Sequence, residues 1–325
     1  MTTTCTRRTL ELAGLDVPLI EAAGAADGPL LTVIAGVHGC EYASMAGVRR
    51  WAAGLAGREL RGRVRVVPVL NLPAFEARSP FVVPQDGKNL NRCFPGDTAG
   101  TLADRLAHAA FTQLIAGSDA VVDAHAGDLP EALEPFALYD AGPAEDRALA
   151  LALAYGLGYV IRQEPGPGRA VAGSTSAAAA EAGIPAIIAE AGGCGLVEAE
   201  AVARHVRGLD GVLAALSMTD AATAPGTATV PGTSPVPGTS PVPGTSPVRL
   251  NRFIWLRCSS GGWWEPAVRP GEEVRQGQVL GTVSTLDGER VLETIHAPTA
   301  GVPLFITSSP AVGPDGLLLG LGAGS

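Results

Sequence analysis

Four segments carry side chains whose types and spacing could hold a metal ion and move a proton. G-V-H-G-C-E, residues 36–41, sets His38 and Glu41 three apart. On a tight turn or a first helical turn that spacing puts both side chains on one side. An imidazole and a carboxylate converging there could take two corners of a zinc tetrahedron. D-A-H-A-G-D, residues 123–128, follows an apolar run, so His125 falls at the carboxyl end of a strand, where open α/β sheets hold their ligands. His125 would be the third ligand and leave one position for water, with Asp123 orienting its ring from behind. I-I-A-E-A-G-G, residues 187–193, ends a strand on Glu190, a half-buried carboxylate suited to act as a base. G-K-N-L-N-R-C-F-P-G, residues 87–96, sets Asn91 beside Arg92, an amide and a planar fork that suit a carboxylate. Arg78 lies upstream in another turn-rich loop. Each segment also has a plain alternative: a capping glutamate, a strand-end histidine bonded to backbone, or an arginine solvating a loop. Only together do they make the parts of a zinc hydrolase.

The elements that must position these residues are legible in the apolar pattern. Residues 30–36 are rich in β-branched side chains and predict a strand, and the alanine-rich 42–56 a helix. Residues 63–70 predict a second strand, with Pro68 marking an edge or a bulge. Further strands are expected over 119–124, 158–161 and 185–190, and helices over 145–156, 174–182 and 197–217. Strands alternating with helices make an α/β fold with a largely parallel sheet.

The composition then changes. Residues 225–248 read P-G-T-A-T-V and then P-G-T-S-P-V three times. Such a repeat buries no core and is expected to be an extended linker. The chain thus divides into 1–222, a linker over 223–249, and 250–325. The last part has short apolar stretches between glycine turns, as in G-G-W-W-E-P and R-Q-G-Q-V-L-G, an all-β pattern. It resembles the barrel-sandwich modules of biotinyl and lipoyl carriers. It contains no lysine, so a swinging-arm role is excluded by the chemistry.

Taken in order, H-G-x-E, N-x-P-A-F with a following arginine, N-L-N-R-x-F-P-G, D-x-H-x-G, a strand-ending glutamate and a β-module resemble the succinylglutamate desuccinylase/aspartoacylase family. That family is related to the zinc metallocarboxypeptidases, and the branch containing N-acetyl-2,4-diaminobutyrate deacetylase is the most similar. The N-L-N-R-x-F-P-G stretch is the most specific part. The resemblance implies a zinc-carboxypeptidase-like mixed central sheet flanked by helices, with a small C-terminal barrel-sandwich module that narrows the mouth of the site. It implies one Zn2+ per subunit on His38, Glu41 and His125, and Glu190 as general base and acid. Arg78 would help stabilise the oxyanion, and Asn91 and Arg92 would meet the substrate's carboxylate. Asp128 stands where relatives often have glycine; it either binds an amino group of the substrate or caps the next segment. The activity implied is hydrolysis of the linear amide of a small N-acyl amino acid or diamino acid. A carboxypeptidase acting on a peptide's C-terminus, a cysteine hydrolase built on Cys40 or Cys194, and a non-catalytic relative that binds zinc or a ligand are the competing readings.

Bulk composition narrows the partners. The formal net charge is −9, and Lys88 is the sole lysine, so neither nucleic acid nor an anionic membrane surface is an expected partner. Five unpaired-looking cysteines and an N-terminus without an apolar run predict a reduced, cytoplasmic protein. Whether it forms a homo-oligomer is left open.

Overall fold

The computed structural model describes residues 2–164, 172–220 and 246–324. Its centre is a nine-stranded sheet. In chain order the first three strands are β1 (Thr4–Leu12), β2 (Leu15–Ala23) and β3 (Ala26–Ala35). Then come β4 (Arg61–Val67), β5 (Ala120–His125), β7 (Phe136–Asp140), β8 (Tyr159–Gln163), β9 (Ala186–Glu190) and β10 (Val248–Leu250). The spatial order is β1-β2-β4-β3-β5-β9-β7-β8-β10. β4, β3, β5 and β9 run parallel. β7 is antiparallel to β9, and the β1–β2 hairpin is antiparallel to its neighbours. The sheet is therefore mixed, with a parallel middle.

Period-two alternation divides the sheet's side chains between two cores. Val33, Ala35, Val122 and Ala189 point to one face. There they meet Trp51 of α1 (Tyr42–Ala53), Leu151 of α4 (Glu145–Tyr155) and Leu209 of α6 (Ala199–Ala215). Ile34 and Val121 point to the other. They meet Leu106 of α3 (Leu102–Ala110) and Ala179 of α5 (Thr175–Glu181). Asp123 and His125 share the parity of Val121, so they too face this second side.

The expected strands and helices of the α/β part all appear, with ends shifted by a few residues. Pro68 is the exception in detail. β4 is an interior strand between β2 and β3, and the proline follows its last residue instead of bulging it. Six further elements had no clear pattern in the sequence: β1, β2, α2 (Leu72–Ala77), α3, β6 (Glu131–Leu133) and β7.

The remaining strands are β11 (Arg252–Arg257), β12 (Gly262–Pro266), β13 (Val279–Ser284), β14 (Val291–His296), β15 (Val302–Thr307), β16 (Ala311–Val312) and β17 (Leu317–Ala323). They form two four-stranded sheets, β11-β17-β15-β6 and β14-β13-β12-β16. Trp264, Leu280, Val283, Leu318 and Leu321 fill the space inside this module. Two strands are exchanged across the repeat. β6 (Glu131–Leu133) comes from the α/β part yet pairs with β15. β10 follows the repeat yet pairs parallel with β8. Residues 248 and 249, given to the linker on composition, are thus strand. The rest of the expected linker lies largely outside the described residues. Phe136, Leu138, Ile161 and Ile188 of the main sheet pack with Leu250, Val302 and Leu304, so the module covers the β9–β7–β8 end of the second face.

Candidate metal and substrate site

The site forms where the parallel strands end. β3 stops at Ala35, and Gly36 turns the chain at φ +68°. Asn71 holds the turn, its amide donating to the Val37 carbonyl at 3.0 Å. Gly39 has no room for a side chain, since a Cβ would stand 2.2 Å from the Ala74 carbonyl carbon of α2. This close approach brings His38 back over the strand ends. Glu41 sits at the start of α1 but makes no side-chain cap. Its carboxylate turns inward: Oε1 lies 2.6 Å from His38 Nδ1 and Oε2 2.9 Å from His125 Nδ1. The three residues are buried, with ligand atoms all within 4.8 Å of one another.

The far side of each imidazole is held as well. His38 Nε2 faces Asn89 Oδ1 at 3.0 Å, and His125 Nε2 faces Asp123 Oδ2 at 2.9 Å. Thr175 at the start of α5 donates its hydroxyl to the same Asp123 oxygen. Protons on both Nε2 atoms leave both Nδ1 atoms directed at Glu41, the arrangement a metal site needs. Burial pushes the Glu41 carboxyl up, but the two imidazoles outweigh it and hold it down to about 2. Burial alone would discharge His125; Asp123 and Glu41 instead raise it well above the ordinary imidazole range.

These groups open on a cavity of about 620 Å3 between the main sheet and the β module. Glu190 lines it, one strand over, as the register partner of His125. Among the described residues no side chain donates to its carboxylate. Burial, with Glu41 and Glu131 adding to it, raises this carboxyl well above the usual range against the opposing pull of His125. Asn91 and Arg92 line the same cavity on a single helical turn, Leu90–Arg92. The Asn91 carbonyl oxygen of the side chain accepts the Thr175 N–H at 3.0 Å. The Arg92 guanidinium lies 5.7 Å above the Trp255 ring, and its Nη1 donates to the Asn91 backbone carbonyl at 2.6 Å.

Two expected site residues fall elsewhere. Arg78 is exposed, closes α2 in the left-handed conformation (φ 52°, ψ 45°), and does not line the cavity. The loop after it is drawn over the site, and Phe81 faces the cluster instead, its ring 6.0 Å from His38. Asp128 is buried and also outside the lining. Its oxygens accept the backbone N–H groups of Phe81 at 2.8 Å and Leu129 at 2.7 Å. It caps the turn and holds Phe81 at a φ of +60°, a strained value for a side chain with a Cβ. Asp128→Ala is expected to lower stability by about 1–3 kcal/mol and to raise KM as Phe81 relaxes. Denaturant melts and Michaelis kinetics test this; an unchanged KM with an unchanged midpoint would refute the capping role.

Neither Cys40 nor Cys194 lines the cavity, and burial pushes the Cys40 thiol up, away from a nucleophilic thiolate. Asn89, Thr175, Phe81, Glu131 and Trp255 were missed by the sequence reading. Asn89 had a signal: it stands two residues before Asn91 in the same motif. Trp255 had a weaker one, since Phe253 and Trp255 alternate on one strand.

Residues 27–216 match the model of the succinylglutamate desuccinylase/aspartoacylase catalytic domain. The chain belongs to this family. A curated relative, the N-alpha-acetyl-L-2,4-diaminobutyric acid deacetylase of Halomonas elongata, is 33% identical over 190 residues. That match spans 58% of this chain and about half, 54%, of the relative. Among solved structures, the product-bound ectoine utilization protein EutE of Ruegeria pomeroyi superposes with a TM-score of 0.82 at 23% identity, covering 99% of this chain and 96% of that one. A family protein from Rhodobacter sphaeroides gives 0.79 at 24% identity, covering 99% and 96%. These two establish the fold over the β module as well as the α/β part. No helix among the described residues is long and apolar enough to cross a membrane.

Proposed function

We propose that this family member is a zinc-dependent deacylase that cleaves the amide of a small N-acyl amino acid or N-acyl diamino acid. The observation that carries the reading is the buried His38–Glu41–His125 cluster opening on one cavity with Glu190 and Arg92. Two imidazole nitrogens and a carboxylate oxygen, each backed by a fixed partner, are a donor set that suits zinc with a position left open. Held there, zinc supplies an acidified water and an electrophile for the acyl oxygen.

The chain's own residues do the rest. Glu190 takes a proton from the attacking water, helped by a carboxyl that burial keeps basic. It returns that proton to the amine nitrogen as the amide bond breaks, so water and amide become a carboxylic acid and an amine. Arg92 and Asn91 hold the substrate's carboxylate, with Trp255 fixing the guanidinium from behind. Phe81, Phe253, Trp255 and Phe305 wall the cavity and exclude bulk water from the reacting centre. A wall contributed by the β module favours a small substrate over the end of a peptide.

The test is a panel of N-acetyl-2,4-diaminobutyrate, N-acetylaspartate, N-succinylglutamate and a short peptide, run with metal analysis of the same sample. Roughly one zinc per chain, and turnover of an N-acyl amino acid well above the peptide, is expected. Zinc-loaded protein that turns over none of the four refutes the reading.

A further inference from the structure

β6 sends a second carboxylate into the cavity. The register sets Glu131 opposite Thr307 and Leu133 opposite Phe305. Strand side chains alternate between faces, so these four share one face, and all four line the cavity. Ile306 points the other way, into the core of the β module. Glu131 is therefore aimed by strand pairing. A slip of one residue would turn it away.

The surroundings of Glu131 ask for a cation. Its Oε2 accepts the Asp128 backbone N–H at 3.2 Å. Among the described residues it forms no ion pair. Burial pushes its carboxyl up to about 7, and nearby Glu41 and Asp128 push the same way. An ionised carboxylate in so dry a place is costly unless an opposite charge meets it. The cavity also has the complementary pole. Arg92 lies over Trp255, and the Trp255 Nε1–H is buried with no acceptor. One cavity thus presents donors for an anion at Arg92 and Trp255, and at Glu131 a carboxylate that feels Arg92 and His38 only at a distance and has no cation in contact with it. A ligand carrying both a carboxylate and an ammonium satisfies both.

We propose that Glu131 is a specificity-determining residue that binds a free ammonium group of the substrate, narrowing the substrates to N-acylated diamino acids. This rests on the deacylase reading for its chemistry but not for its binding. The probes are N-acetyl-2,4-diaminobutyrate and N-acetylnorvaline, which replaces the terminal ammonium by a methyl group. With zinc-loaded full-length protein, kcat/KM is expected to favour the cationic substrate. Glu131→Gln, which keeps an acceptor for the Asp128 N–H, is expected to cut that preference by about 10²-fold. Because Glu131 also helps raise the Glu190 carboxyl, a change in kcat shared by both substrates is read separately from the change in their ratio, and Glu131→Asp should restore part of the preference. Equal losses on both substrates, or an unchanged ratio, would overturn the proposal while leaving the deacylase reading intact. In parallel, 2,4-diaminobutyrate and norvaline are titrated against tryptophan fluorescence, with Trp255 as the reporter in the cavity. A protein that hydrolyses neither probe but binds the diamine in a Glu131-dependent way sinks the deacylase reading and keeps this one. Binding without preference sinks this one.

Discussion

Glu190→Gln is expected to lower kcat by about 10³-fold, with KM and zinc content close to those of the parent. The amide has the shape of the carboxylate but cannot accept the proton of the attacking water. It also cannot hand one to the leaving nitrogen. Both halves of the reaction lose the same group, so the effect lies in kcat and not in binding. The cluster should be spared, because the groups hydrogen-bonded to the side chains of His38, Glu41 and His125 from outside it are Asn89, Asp123, Asn91 and Ala126, and Glu190, though beside His125 in the sheet, is not among them. Stability should not fall, since the variant has no buried ionisation to suppress. The measurement is a steady-state comparison with metal analysis on the same preparation. Turnover within tenfold of the parent, with zinc bound, would remove Glu190 from the role of base.

His125→Ala should abolish both zinc retention and turnover, and it should destabilise the fold more than His38→Ala does. The reason is what each imidazole leaves behind. His38 rests on Asn89, a neutral amide whose oxygen also accepts the Asn91 N–H at 2.8 Å. His125 rests on Asp123, a fully buried carboxylate that has one oxygen without any partner. Without His125, that charge keeps only the Thr175 hydroxyl. Removing one member of a buried charged pair costs about 3–5 kcal/mol, against about 1 kcal/mol for a lost neutral hydrogen bond. Denaturant unfolding of the metal-free variants tests the order. Equal midpoints would refute this order.

The parts of the site that could be read from sequence share a physical cause. His125 and Glu190 each end a buried apolar run, and His38 follows one closely. Burial writes itself into sequence as a run, and its end marks the sheet's edge. Directions within loops carry no such mark. Arg78 follows α2 by one residue, and only the left-handed turn at that residue decides that it faces solvent. Asp128 is three residues from His125, so sequence left both a substrate contact and a cap open, and only the fold shows two backbone N–H groups claiming its oxygens. The β1–β2 hairpin was illegible for a different reason. Its outer strand is exposed along most of both faces, so no alternation survives in T-C-T-R-R-T-L-E-L. β7 was hidden because it is buried throughout, which erases the period-two signal.

The exchange of strands has a consequence for the order in which this protein can be made. β6 pairs with residues 305–307, so its partner leaves the ribosome more than 170 residues after it. Until then the segment holding Glu131 has no strand beside it, and the cavity lacks the wall of Phe253, Trp255 and Phe305. The candidate metal cluster needs the main sheet through β9 and the packing of α1 on α6, which ends at Ala215. A growing chain should therefore gain the capacity to bind zinc well before it can discriminate among substrates.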